Sequence, residues 1–271
     1  MDRLSCQSRR LAILCHGLEG SSQSKYIIGT GNLLLNNGWD IAAINYRGCS
    51  GVINHNPRLY HSGATDDIHE VVSQLGDAYD EIALVGFSLG GNLVLKYAGE
   101  GVYPTAKKIL CVVAISVPVD LEAGSKQISK KSNLIYEKKF LKSLHLKVKD
   151  KSSQYPDLID PSSMKSVRTI FDFDDVYTSK LHGFKDAKDY YNKSSSKQFL
   201  STIKTPTLII NALDDPFLPK QCYPQNEANQ NKWITLLTPK FGGHVGFVST
   251  ASLFYWEEDV INQYLSQASS I

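Results

Sequence analysis

The chain has 271 residues, 42% of them hydrophobic, enough to bury a substantial core in one large α/β domain or two small ones. Its formal net charge of +2 gives no reason to look for a nucleic-acid partner, and no apolar run approaches the ~20 residues of a membrane span. Five scattered cysteines (Cys6, Cys15, Cys49, Cys111 and Cys222) lack C-x-x-C pairs, and the first ten residues lack a signal-peptide core, so no disulfide framework or zinc site is expected and the pattern suits a reducing cytoplasm.

Arg10-Leu11-Ala12-Ile13-Leu14-Cys15 reads as a strand buried on both faces of a parallel sheet. It runs into the loop His16-Gly17-Leu18-Glu19-Gly20-Ser21-Ser22, where Ser22 is placed to cap a helix over 23–36 that stops at Asn36-Asn37-Gly38. A second strand, 40–46, leads through Arg47-Gly48-Cys49-Ser50-Gly51 into a long polar loop, 52–63. Loops of that length in a compact domain are usually functional or inserted. Thr65-Asp66-Asp67 opens a helix with acidic residues in its first turn, as the helix dipole favours, and the helix ends near Gly76.

Next comes Glu81-Ile82-Ala83-Leu84-Val85, a strand that ends in Gly86-Phe87-Ser88-Leu89-Gly90 and is followed at once by a helical pattern from Asn92 to Ala98. A bare G-x-S-x-G arises by chance in roughly one chain of this length in ten. Between a strand and a helix, however, it is the setting of a nucleophile elbow, with Ser88 exposed on a tight turn and glycines where side chains would collide. Another strand is expected over 107–117, and the alternation so far predicts a parallel sheet with helices on both faces.

The alternation then breaks. From Pro118 to about Leu200 the pattern is helices and loops, read as an insertion over the C-terminal edge of the sheet, with core segments 1–117 and 201–271 on either side. Nine lysines between Lys126 and Lys151 read as a solvated helix face. Phe171-Asp172-Phe173-Asp174-Asp175 and His182-Gly183-Phe184 read as packing and turn chemistry, and Lys193-Ser194-Ser195-Ser196-Lys197 as a short linker. Strands over 205–211 and 233–237 follow, leading to Asp214-Asp215-Pro216 and to Gly242-Gly243-His244. A final helix carries Leu253, Trp256, Val260, Ile261 and Tyr264 on one face.

Ser88, the Asp214-Asp215 pair and His244 each fall just beyond a predicted strand, where open α/β sheets build their sites. A serine hydroxyl is a poor nucleophile unless a base takes its proton as it attacks, and a carboxylate must fix the tautomer of that base. His244, between flexible glycines, is the candidate base. His16 is its chief rival among seven histidines, and its loop is expected on the oxyanion side. Either Asp214 or Asp215 can serve as the acid, the other capping the turn. The oxyanion needs two backbone donors. Leu89 offers one at the helix start, and the loop after the first strand offers the other at Leu18.

These stretches together resemble the YheT-like (AB-hydrolase-4) branch of the α/β-hydrolases. The likeness runs through His16-Gly17-Leu18-Glu19-Gly20-Ser21, Asn45-Tyr46-Arg47-Gly48-Cys49-Ser50-Gly51, Gly86-Phe87-Ser88-Leu89-Gly90-Gly91-Asn92, Asn211-Ala212-Leu213-Asp214-Asp215-Pro216 and Gly242-Gly243-His244, and through the insertion at Phe173-Asp174-Asp175, Tyr177-Thr178 and His182-Gly183-Phe184. The resemblance implies an α/β-hydrolase fold with a helical cap and selects Asp215 as the acid. It implies an esterase, lipase or acyltransferase acting on carboxylic esters, with acylglycerols among the candidate substrates and no metal or organic cofactor. Members of the branch carry two strands ahead of the one that ends in His-Gly. About ten residues stand there in this sequence, so a sheet of six strands with an exposed edge is expected. The leading expectation is a serine ester hydrolase. An acyltransferase, in which an alcohol intercepts the acyl-enzyme, and a non-catalytic binding protein of the same fold are the alternatives.

Overall fold

The computed structural model describes residues 8–103, 109–248 and 254–269. The chain runs through β1 (Arg10–Cys15), α1 (Lys25–Asn36), β2 (Asp40–Ile44), α2 (Thr65–Gly76), β3 (Glu81–Phe87), α3 (Leu89–Gly99) and β4 (Ile109–Ile115). Helices α4 (Leu121–Ile128), α5 (Leu134–Gln154), α6 (Ile170–Phe173), α7 (Ser179–His182) and α8 (Ala187–Ser194) follow. The chain then completes the sheet with β5 (Thr207–Ile210), α9 (Gln225–Gln230) and β6 (Ile234–Leu237), and the last described helix is α10 (Trp256–Ala268). The strands lie in the order β2-β1-β3-β4-β5-β6, and every pairing is parallel. Lys107 and Lys108 of the expected fourth strand, Leu253 of the expected last helix, and Cys6 lie outside the described residues.

Two-faced burial explains the apolar runs. Leu11, Ile13 and Cys15 of β1 pack with Ile68 and Val72 of α2 and Leu93 and Tyr97 of α3. The alternate residues Ala12 and Leu14 face the other way, against Ile27 and Leu34 of α1 and Ile261 and Leu265 of α10. A strand covered on both faces has no polar side, so its sequence shows no alternation. Each Leu or Ile fully withdrawn from water contributes about 1.5–3 kcal/mol. The strand order reverses between β1 and β3, so a crevice opens beyond their C-terminal ends. Among the described residues no helix is long and apolar enough to cross a membrane.

The stretch from β4 to β5 has an apolar cluster of its own, in which Leu144 and Val148 of α5 meet Ile159, Met164, Ile170 and Phe173. Three of its short helices, α4, α6 and α8, start on side-chain caps. Asp120 accepts the N–H of Ala123, Asp186 that of Asp189, and Thr169 forms a reciprocal capping box with Asp172. A single turn of π-helix, Asp174–Thr178, interrupts the run from α6 to α7.

Three local expectations are corrected. Ser24, not Ser22, precedes α1, because Ser22 is engaged with Asn45, whose side chain pairs with both its N–H (2.9 Å) and its hydroxyl (3.0 Å). Seven of the nine lysines are exposed, but Lys147 and Lys151 are not part of a solvated face. Lys147 Nζ binds Glu19 at 2.7 Å, and the fully buried Lys151 donates to the carbonyls of Asn54 and Asn56, so α5 grips the loop after β1 and the long loop after β2. The segment 193–197 is no loose linker either. Buried Asn92, in the first turns of α3, donates to the carbonyls of Ser62 and Ser194 (both 2.8 Å) and accepts the N–H of Ser196 at 2.8 Å.

Asn92→Ala strips three buried backbone groups of their partner at once. It is expected to cost about 3 kcal/mol or more in urea unfolding. A loss under about 1 kcal/mol would show that these segments hold together without it.

Candidate active site

The site begins with a turn that few residues can make. Ser88 sits between β3 and α3 at φ 53°, ψ −115°, a backbone region costly for a residue with a Cβ. Backbone crowds it on both sides. A Cβ on Gly86 would lie 2.2 Å from the Gly90 carbonyl oxygen, and one on Gly90 would lie 2.3 Å from that of Cys15. Glu19, Ser116 and Val245 are the other non-glycine residues with positive φ among those described, and all stand around the same site. The Ser116 hydroxyl accepts the Val245 N–H at 3.3 Å, which ties the end of β4 to the loop that carries His244.

His244 Nε2 lies 3.0 Å from Ser88 Oγ, and its Nδ1 lies 2.8 Å from Asp215 Oδ2. With Nδ1–H donated to the carboxylate, Nε2 is left to accept the serine hydroxyl proton. The Asp215 side chain is wholly withdrawn from solvent, and its other oxygen accepts the N–H of Phe217 at 2.9 Å. The Phe217 ring stands 4.6 Å from the imidazole and limits its movement. Exposed Asp214 points elsewhere and caps the histidine loop by accepting the Gly243 N–H at 2.8 Å.

His16 is built into the wall. It is fully buried, its Nδ1 donates to the Gly17 carbonyl at 2.7 Å, and its Nε2 faces the Tyr46 N–H at 3.4 Å. Burial pulls its pKa down to about 4, so the ring is neutral and its two nitrogens hold the loop after β1 in shape. In that loop the N–H of Gly17 is spent on Tyr26 (3.0 Å) and that of Glu19 on Tyr60 (2.8 Å). Leu18 lies between them and lines the cavity beside Ser88. Leu89 lines it too, and as the first residue of α3 it has an N–H with no carbonyl a turn behind to receive it.

Two hollows meet at Ser88. The smaller, about 100 Å³, has apolar walls from Leu18, Leu121, Ile128, Leu144, Ile170 and Phe173. The larger, about 550 Å³, is bounded by His244, Phe217, Tyr136, Phe140 and Lys139. Both take one wall from the stretch between β4 and β5. Asp174 lines the smaller hollow, with Thr178 and Tyr191 bonded to its carboxyl at 2.6 and 2.7 Å, and burial lifts its pKa to about 6. Sequence reasoning assigned Asp174 to packing. Two signals could have singled it out: its place in the Phe173-Asp174-Asp175 stretch of the family likeness, and the lack of an α-helix start of its own to cap, since Asp172 already fills that role.

A family model described as the alpha/beta hydrolase fold matches residues 12–249. The chain is 37% identical over 267 residues to YheT of Escherichia coli (strain K12), provisionally named an esterase, covering 96% of this chain and 77% of that one. It is 28% identical to a monoacylglycerol lipase of Saccharomyces cerevisiae, covering 96% of this chain and 60% of the relative, so it spans only about three fifths of that protein's length. Among solved structures, the esterase Pf2001 of Pyrococcus furiosus superposes with a TM-score of 0.61 at 16% identity, over 96% of this chain and 82% of that one, a likeness of fold.

His16 makes the wall sensitive to acid. Its folded pKa lies below the ordinary 6.5, so the stability it contributes is present above pH 6.5 and lost as pH falls toward 4. The loss amounts to about 3 kcal/mol once the pH is below both values. The stability gap between wild type and His16→Asn, measured by urea unfolding, is expected to narrow as pH falls from 6.5 to 4. A gap that stays constant would contradict the buried neutral ring.

Proposed function

Because the chain belongs to the α/β-hydrolase fold family, in its YheT-like branch, we propose that it is a serine hydrolase of carboxylic esters working through an acyl-enzyme on Ser88. The observation that carries this reading is the unbroken hydrogen-bonded line from Ser88 through His244 to buried Asp215. The names of the relatives, an esterase and a monoacylglycerol lipase, support esters as the substrate class, with acylglycerols among them.

In the acylation step Ser88 Oγ forms a bond to the ester carbonyl carbon as its proton passes to His244 Nε2. The carbonyl oxygen takes up negative charge, held by the N–H groups of Leu18 and Leu89. Asp215 stabilises the imidazolium without itself taking the proton. The tetrahedral centre collapses, the carbon–oxygen bond to the alcohol breaks, and His244 gives its proton to the departing oxygen. Water then repeats the sequence on the acyl-enzyme, and the acid and free Ser88 are released. Residues 118–200 act as a cap that shapes both hollows over a core of 1–117 and 201–271.

A fluorophosphonate probe reads the activated serine directly. Wild type is expected to label at Ser88. Ser88→Ala should not label, and His244→Ala should label about a thousandfold more slowly or less. A folded wild type that does not label would overturn the reading.

A further inference from the structure

The two hollows at Ser88 are not equivalent, and the chemistry of the leaving group tells them apart. The alcohol that leaves the tetrahedral centre as the acyl-enzyme forms must take its proton from His244 Nε2, so it occupies the hollow that His244 bounds, the one of about 550 Å³. The acyl group is left with the smaller hollow, which begins at Ser88 and Leu89. Its walls are apolar near the serine, but part of its lining is polar: Asp174, Thr178, Ser125 and Tyr191.

Asp174 is the unusual member. It begins the π-helical turn, a costly irregularity that often marks a functional position in a helix. The residue is half-buried and lines the cavity. The groups that hold it are hydroxyls: Thr178 donates to Oδ1 and Tyr191 to Oδ2. Each carboxylate oxygen can accept two hydrogen bonds, so acceptor capacity remains for a ligand in the cavity that Asp174 lines. Linking Thr178 to Tyr191 would need only a neutral amide, whereas a carboxylate beside apolar walls is expensive, and a further donor would lower that cost.

We propose that the smaller hollow is the acyl site and that Asp174 within it selects acyl groups bearing a hydrogen-bond donor, a hydroxyl or an ammonium group, over plain alkyl chains. The proposal rests on the reading of Ser88 as the nucleophile. Within the carboxylic esters it narrows the substrate to an ester of a bulky alcohol with a compact, donor-bearing acid, and away from acylglycerols of plain alkyl acids. Asp174 then touches substrate but takes no part in bond making, so its effect belongs in the choice between acyl groups.

The test compares kcat/KM of the full chain on p-nitrophenyl hexanoate, 6-hydroxyhexanoate and 6-aminohexanoate, and on the butanoate and 3-hydroxybutanoate pair. At least one donor-bearing ester is expected to exceed its alkyl counterpart by tenfold or more. An ammonium preference should collapse toward one in Asp174→Asn, which removes the charge. A hydroxyl preference should persist in part there and collapse in Asp174→Leu. Wild-type ratios near one for every pair, with Ser88 still labelled by fluorophosphonate, would overturn this inference alone and need no variant to fold. Ratios unchanged in folded Asp174→Leu would overturn it as well. Failure of wild type to label would remove the nucleophile reading first.

Discussion

Everything at this site depends on one backbone turn. Ser88 holds a positive φ because β3 must end and α3 must begin within one residue, with no room for side chains on Gly86 or Gly90. Such a conformation costs of order 1–3 kcal/mol and persists only where the surroundings over-determine it. Here they do. Phe87 is fully buried on one face of the sheet, Leu93 and Val94 of α3 are buried on the other, and the Ser88 N–H bonds the Ile115 carbonyl at 2.8 Å. The sheet therefore supplies the energy that keeps the serine strained, and α3 turns its open N-terminal amides toward the same space.

The second constraint is how the segment over the site is fastened. Glu19 adjoins Leu18 and receives Lys147 and Ser143 from α5 and Tyr60 from the long loop. Asn92 fastens that long loop and the end of α8 to the elbow helix. The cavity walls are thus cross-braced to the turn that carries Ser88, by pairs largely shielded from solvent; Lys147 and Glu19 are 14% and 5% exposed. Shielded charge pairs hold geometry well, because removing either partner strands the other without water.

The sheet was legible in the sequence for a plain reason: strands buried on both faces cannot hide in a polar background. All six were anticipated, with edges displaced by one or two residues, as at Ile44 and Ile115, where an apolar residue (Tyr46, Val117) stands two positions beyond the end of the strand. Ser88, Asp215 and His244 could be nominated because each follows a strand, although the choice of Asp215 over Asp214 needed family resemblance; the geometry separates them by burial. What spacing could not disclose were contacts between distant segments. Lys147 and Lys151 look like their exposed neighbours until α5 is laid against residues 19, 54 and 56. Asp174 looks like a turn residue until the helices close around a cavity, and the serines at 194–196 look like a linker until Asn92 reaches them.

The central claim is that Ser88 carries the acyl group between two half-reactions. Rapid quenching of the protein with a p-nitrophenyl ester, followed by peptide mass spectrometry, measures this directly. A transient mass increase of one acyl group is expected on the peptide containing Ser88, appearing with the first burst of nitrophenol and absent in Ser88→Ala. Turnover of the ester with no acyl group on that peptide at any time, or with undiminished turnover in Ser88→Ala, would contradict it.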